Sequence, residues 1–124
     1  MLTARQCQLL LAAVLIGLGT FCLAAPAVVL ELAIRPQYRS NSELERLLMG
    51  CFGAQACLAG LFAATSRFTR TTFLAYGLAL LPFFWFNWFF YVRRPMLTEF
   101  GLLDGLFNVF MLALCVVGYR RGRR

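Results

Sequence analysis

Asp104 is the one ionisable residue in the apolar stretch from Phe100 to Tyr119, and Asn108 follows it at a spacing of four. On a helix these two side chains share a face. Asn87 and Gln55 are amides set inside other long apolar runs, and Glu31 closes a further run. In a lipid-solvated helix an ionisable side chain costs roughly 2.5 to 3.5 kcal/mol at mid-membrane and less near the surface, so it faces a partner or a wet cavity. Asp104 is therefore the candidate catalytic residue, a carboxylate placed to act as a general acid or base on an apolar substrate. Its structural alternative is an ion pair with Arg46 or Arg94, or simple stabilisation at the positive end of its own helix.

Other chemistries are excluded by what is missing. The chain contains no histidine, and all twelve of its basic residues are arginines. Histidine-ligated haem or zinc, a histidine base and a Schiff-base lysine are thus ruled out. No metal, no cofactor and no nucleic acid is expected. Exclusive use of arginine fits guanidinium forks on lipid phosphates, and equally the codon bias of a GC-rich genome. Cys7, Cys22, Cys51, Cys57 and Cys115 contain no C-x-x-C pair, which disfavours a thiol oxidase and reads as small buried hydrophobes.

The elements that must position these residues are helices. Of 124 residues 61% are apolar, more than a soluble fold of this size can bury. Uncharged runs extend from Cys7 to Leu30, Leu47 to Ser66 and Thr71 to Val92, each long enough to cross a bilayer. No segment alternates polar with apolar, so a barrel is excluded and the backbone must satisfy itself within helices. Residues 7–34, 47–65, 71–92 and 100–119 are the expected helices of one all-α domain, an integral membrane up-down four-helix bundle. Leu23-Ala24-Ala25 before Pro26 resembles a signal-peptide cleavage site, but the run is too long and continues through Leu30. A retained helix kinked at Pro26 is the expectation.

Connections of this length force neighbouring helices into antiparallel hairpins. Seven arginines (Arg5, Arg67, Arg70, Arg120, Arg121, Arg123, Arg124) then share a side with both termini, against five (Arg35, Arg39, Arg46, Arg93, Arg94) opposite. That bias puts both termini in the cytoplasm, in a plasma or endoplasmic reticulum membrane, with the arginine-rich ends on anionic headgroups.

The pattern L-L-x-G-x-F recurs at Leu47 to Phe52 and Leu102 to Phe107, with Arg35-Pro36 and Arg94-Pro95 upstream, as a duplicated two-helix hairpin would leave it. Small residues Gly50, Gly53, Ala54, Cys57 and Gly60 thin the second helix for close approach, within one monomer rather than in a homodimer. The third helix carries eight aromatics among the nine residues from Phe83 to Tyr91. Its outer rings form an interfacial belt, while Phe83 to Phe86 should pack on the glycine-rich second helix or wall a pocket.

At a rise of about 1.5 Å per residue, Gln55, Asn87, Asp104 and Asn108 fall within roughly 6 to 12 Å of one membrane face, where Glu31 also lies. Glu31, Gln55, Asn87, Asp104 and Asn108 form the expected polar cup, and with Phe83 and Phe86 they are the candidate ligand-binding residues. Four short spans, Gly50-Cys51-Phe52-Gly53-Ala54-Gln55 opening the second helix, Leu103-Asp104-Gly105 with Asn108 opening the fourth, and an arginine-rich tail resemble the DoxX-like superfamily of small membrane proteins. The resemblance implies an up-down bundle acting as an accessory factor or small-ligand binder. The expected function is a non-enzymatic membrane protein holding a lipid or small apolar molecule. The alternative is a membrane enzyme acting on a terpenoid, quinone or lipid through Asp104.

Overall fold

The computed structural model describes residues 2–122, so Arg123 and Arg124 of the basic tail lie outside it. The described chain is all-helical: α1 (Ala4–Ala24), α2 (Pro26–Ala33), α3 (Glu43–Thr65), α4 (Arg70–Trp88) and α5 (Leu102–Arg121). A short 3-10 turn, Pro36–Tyr38, follows α2, and a π-helical turn, Phe89–Arg93, extends α4. Four of these helical segments, α1, α3, α4 with its π turn, and α5, are long and apolar enough to cross a membrane.

Polar caps set the helix starts. Thr3 accepts from the Gln6 amide while the Gln6 side chain accepts from the Thr3 amide, a reciprocal box that starts α1 three residues before its uncharged run. Ser42 caps α3 by accepting from the Glu45 amide, and Glu43 and Glu45 sit in the first turn, where carboxylates are stabilised. Thr69 and Thr72 form a second reciprocal box at α4. Asn41, at φ 54°, turns the chain into α3, a left-handed geometry that asparagine tolerates.

The expected continuous helix over residues 7–34 is instead two helices. Ala25 leaves helical geometry at φ −136° and ψ 58°, and Pro26 takes the first-turn position of α2, where its missing N–H breaks no helical bond. A mid-helix proline would have lost that bond, so the chain breaks rather than kinks.

Helix α1 is central. It packs most tightly on α3 and also on α5, while α4 packs on α5. One third of the apolar window of α1 is buried against 11% for α4, which leaves α4 at the periphery. Glycines make the α1–α3 seam. A Cβ at Gly53 would lie 2.5 Å from the Leu23 amide nitrogen and 2.6 Å from the Gly19 carbonyl, and one at Gly60 would lie 2.6 Å from Ile16. These small residues thus serve packing within the chain, as expected, but their partner is α1 rather than the aromatic α4. Helices α3 and α4 meet through side chains, with Tyr76 Oη donating to the Ala59 carbonyl at 3.0 Å and the Phe52 and Phe83 rings edge-on at 6.4 Å.

The core sits at the end of the bundle that carries both described termini. Cys7, Leu11, Phe73, Met111, Leu114 and Cys115 are buried together there, with Phe73 filling the space that Gly118 leaves open. Gln8, 3% exposed, ties this end by donating to the carbonyls of Ala63 at 2.6 Å and Ser66 at 2.5 Å and accepting from the Phe68 amide. Arg5 also reaches the Ser66 carbonyl, and Arg70 donates to that of Tyr119 while stacking on its ring. The five cysteines are free; Cys7, Cys22 and Cys115 are buried as expected, whereas Cys51 is exposed.

Candidate functional site

At the opposite end the helices do not close. The last turn of α4 carries Asn87, the first turn of α5 carries Asp104, and the next turn carries Asn108. Asn87 Nδ2 donates to Asp104 Oδ2 at 3.2 Å, and Asn108 Nδ2 donates to the same oxygen at 3.1 Å. Asn87 Nδ2 also donates to the Phe83 carbonyl at 2.8 Å. Both of those partners are acceptors, which fixes the Asn87 amide with its nitrogen toward them and its oxygen away. Asn108 is 2% exposed and Asp104 half-buried, so the carboxylate is held from below by a buried amide and from the side by α4. Asp104 sits in the positive first turn of α5 without capping it by a side-chain bond.

Among the described residues no guanidinium hydrogen-bonds this carboxylate. In place of the alternative pairing with Arg46 or Arg94 stand the two amides, and both arginines are exposed. Arg35 donates instead to the Leu97 carbonyl at 2.9 Å, and Arg39 to the Ile34 carbonyl at 2.8 Å and to that of Glu31. Arg39 thus satisfies carbonyls at the end of α2, where a helix leaves acceptors unpaired and favours cations, while Arg35 holds the facing segment at Leu97. The chain from Met96 to Thr98 is stitched to the same end. The Arg35 amide donates to Met96 O at 2.7 Å, the Thr98 amide to Ala33 O at 2.8 Å, and Ile34 and Leu97 form an antiparallel bridge.

Between this stitched rim and the helices lies a cavity of about 690 Å³, within the roughly 300 to 1,000 Å³ of small-molecule sites. Its walls are apolar: Cys22 from α1, Val29 from α2, Phe52 from α3, Phe83 from α4 and Phe107 from α5 are among them. Asn87 and Asp104 supply the polar part of the wall, and Glu45 and Tyr38 contribute too.

Of the residues singled out from sequence, Phe83, Phe86, Asn87 and Asp104 line this cavity, and Asn108 supports Asp104 from the buried side. Glu31 and Gln55 are exposed and stand outside the lining. Gln55 lies at the expected depth, but two residues from Gly53 is about 200° around a helix, and Gly53 faces α1. Glu31 contributes only its carbonyl, to Arg39. Sequence reasoning left Glu45 in a loop; the S-x-x-E signature of Ser42 and Glu45 marks the earlier helix start that carries it to the cavity. Gln8 was passed over because its run was read for charge alone.

Among the described residues no cluster of three His, Cys, Asp or Glu side chains is arranged to hold a metal ion. A second recess of about 620 Å³ at the opposite end is polar, with Arg5, Gln8, Ser66, Arg67 and Arg121 on its walls.

Fold and site together define a class: an all-helical chain with four helices of membrane-spanning length and composition, hollowed at one end by an apolar cavity that presents a carboxylate held by amides. Comparison with protein-family models, curated proteins and solved structures finds no match.

Proposed function

We propose that this chain is an integral membrane protein, an up-down four-helix bundle of the DoxX-like kind, that binds a lipid or small apolar molecule in the cavity walled by Asp104 and Asn87. The observation that carries the reading is the cavity itself, whose volume suits a small molecule and whose wall is apolar except at that polar cluster. A membrane setting is supported by the four apolar helices and by large exposed side chains such as Leu58, Leu78, Trp85 and Leu106, which lipid solvates and water would not. The up-down path is supported by the contacts of Arg5 with the end of α3 and of Arg70 with the end of α5. The arginine bias supports cytoplasmic termini in a plasma or endoplasmic reticulum membrane, so that the cavity opens toward the outer leaflet. The recess lined by Arg5, Arg67 and Arg121 then faces anionic headgroups.

The protein acts in this reading as a non-enzymatic binder or accessory factor. A second reading, an enzyme using Asp104 as general acid or base, is favoured by one detail: both amides converge on Oδ2, leaving Oδ1 without a hydrogen-bond partner among the described residues. Purified protein incubated with a cell lipid extract and analysed by mass spectrometry separates the two. Recovery of an unchanged bound species supports the binder, and recovery of a converted one supports the enzyme. The variant Ala33→Trp, which puts an indole into the cavity wall, should lose the bound species; retention would remove the cavity from the mechanism.

A further inference from the structure

Around Asp104 the polar wall of the cavity can accept hydrogen bonds but has none left to give; the hydroxyl of Tyr38, beyond the end of α2, is the wall's other polar donor. The two N–H groups of Asn87 are committed to the Phe83 carbonyl and to Asp104 Oδ2, so its oxygen alone remains. Asp104 is an acceptor throughout, with Oδ1 unpartnered among the described residues. Asn108 spends an N–H on Asp104 from a buried position. Glu45, the other carboxylate on the wall, accepts from the Ser40 amide. Among the described residues no arginine is part of the lining, and Arg35 and Arg39 are turned onto backbone carbonyls of the rim.

From this cation-free wall, with its two carboxylates and no free donor beside Asp104, we infer that the cavity selects amphiphiles whose head donates a hydrogen bond, a hydroxyl or a protonated amine, and rejects carboxylate and phosphate heads. The inference rests on the reading that the cavity binds an apolar molecule, and adds which head that molecule carries. An anionic head would meet two carboxylates and an amide oxygen in a low-dielectric pocket, with no cation and a single neutral hydroxyl, that of Tyr38, to compensate its desolvation. A hydroxyl or ammonium would instead give Asp104 Oδ1 the partner it lacks, in a charge-assisted bond. The preference runs against the field of the whole molecule. A chain with net charge +7 attracts anions in general, so nonspecific association would favour the acid.

The test uses the full-length protein in neutral detergent at pH 7 and four probes of one chain length: tetradecane, tetradecanol, tetradecylamine and tetradecanoate. Binding is read by native mass spectrometry. The alcohol and the amine should each bind at least about tenfold tighter than the acid, the scale of one hydrogen bond to a charged group. An amine that exceeds the alcohol shows ion pairing, and equality shows a plain donor; either supports the inference. Asp104→Asn should bring the amine down to the level of the alkane, and the wild-type comparison decides the preference even if that variant does not fold. Equal binding of all four, or tighter binding of the acid, overturns the head-group inference while the cavity reading survives. Binding of none overturns both.

Discussion

Gly53→Ala tests the seam on which the site depends. The added methyl carbon would stand 2.5 Å from the Leu23 amide nitrogen, 2.6 Å from the Gly19 carbonyl oxygen and 2.9 Å from the Cys22 carbonyl carbon. Carbon contacts settle near 3.5 to 4 Å, so α1 and α3 would have to part by about 1 Å. Every obstructing atom is backbone, which no rotamer change can move aside. Overpacking of this kind costs about 1 to 3 kcal/mol, partly offset by about 1 kcal/mol of better helix propensity for alanine. A net loss of about 1 to 2 kcal/mol is expected. Gly50→Ala, one turn earlier on α3, is the internal control: a Cβ there meets nothing within 4 Å, so only the propensity gain remains. Thermal unfolding followed by size-exclusion fluorescence in detergent should show Gly53→Ala several degrees below wild type and Gly50→Ala at or above it. Equal midpoints for the two variants would refute backbone-to-backbone packing of α1 on α3. Because Cys22 and Phe52 reach the cavity from this seam, Gly53→Ala should, under the proposed binding reading, also weaken retention of an apolar molecule.

Gln8→Leu removes the buried side-chain donor to the Ala63 carbonyl and the acceptor of the Phe68 amide, leaving Ser66 to Arg5, and should lower stability by about 1 to 3 kcal/mol, measured by the same thermal assay. Tyr76→Phe removes one hydrogen bond between α4 and α3 and should cost about 0.5 to 1.5 kcal/mol with the fold intact. Reporter fusions at Arg124 should be active only as cytoplasmic fusions; activity on the outer side would reverse the orientation and leave the spans untouched. Asp104→Asn should fold with a loss of about 0.3 to 2 kcal/mol, the scale of the helix-end and hydrogen-bond terms it removes. Under the enzymatic reading the same variant would lose turnover by about 100-fold or more, and unchanged turnover would confine Asp104 to binding and packing.

The helices were legible because lipid-length runs without charge are rare by chance, and Leu47 to Ser66 and Thr71 to Val92 fall within about a residue to a turn of helical segments. Helix starts were less legible, because their signals are polar. Thr3 with Gln6 and Ser42 with Glu45 look like loop until read as caps. In the site, Asp104 and Asn108 follow from spacing alone, since four residues return to one helical face, and Asn87 follows from its matching depth. Rotation about a helix axis was not legible for α3. Small residues occupy several of its faces, so neither the partner of Gly53 nor the outward position of Gln55 could be told from pattern. The break at Ala25 was equally hidden, because proline is compatible with a kinked helix or a new first turn, and surrounding contacts decide between them.

That break explains why a cavity forms at one end and a core at the other. Toward the termini, Leu11, Phe73, Met111 and Leu114 interdigitate around Gly118, and Gln8 and Arg5 fasten the end of α3, so the recess left at that end is polar rather than apolar. Beyond Ala25 the axis of α1 is lost, and α2 is placed by its own ties: Ala33 and Leu32 accept from Thr98, and Arg39 returns to Glu31 and Ile34. Helix α4 cannot fill the gap, because its rings at Trp85, Phe86 and Trp88 are large and half-exposed and its backbone rests on α5. The interior there is left to Cys22, Val29, Phe52 and Phe83, with Asp104 and Asn87 at its wall. An arginine at the rim could have neutralised that carboxylate, yet Arg39 is committed to carbonyls at the end of α2, and Arg35 to that of Leu97 across the rim. The interruption after α1 therefore goes with two features at once: the open space, and a rim whose Arg35 and Arg39 are spent on backbone carbonyls rather than on Asp104.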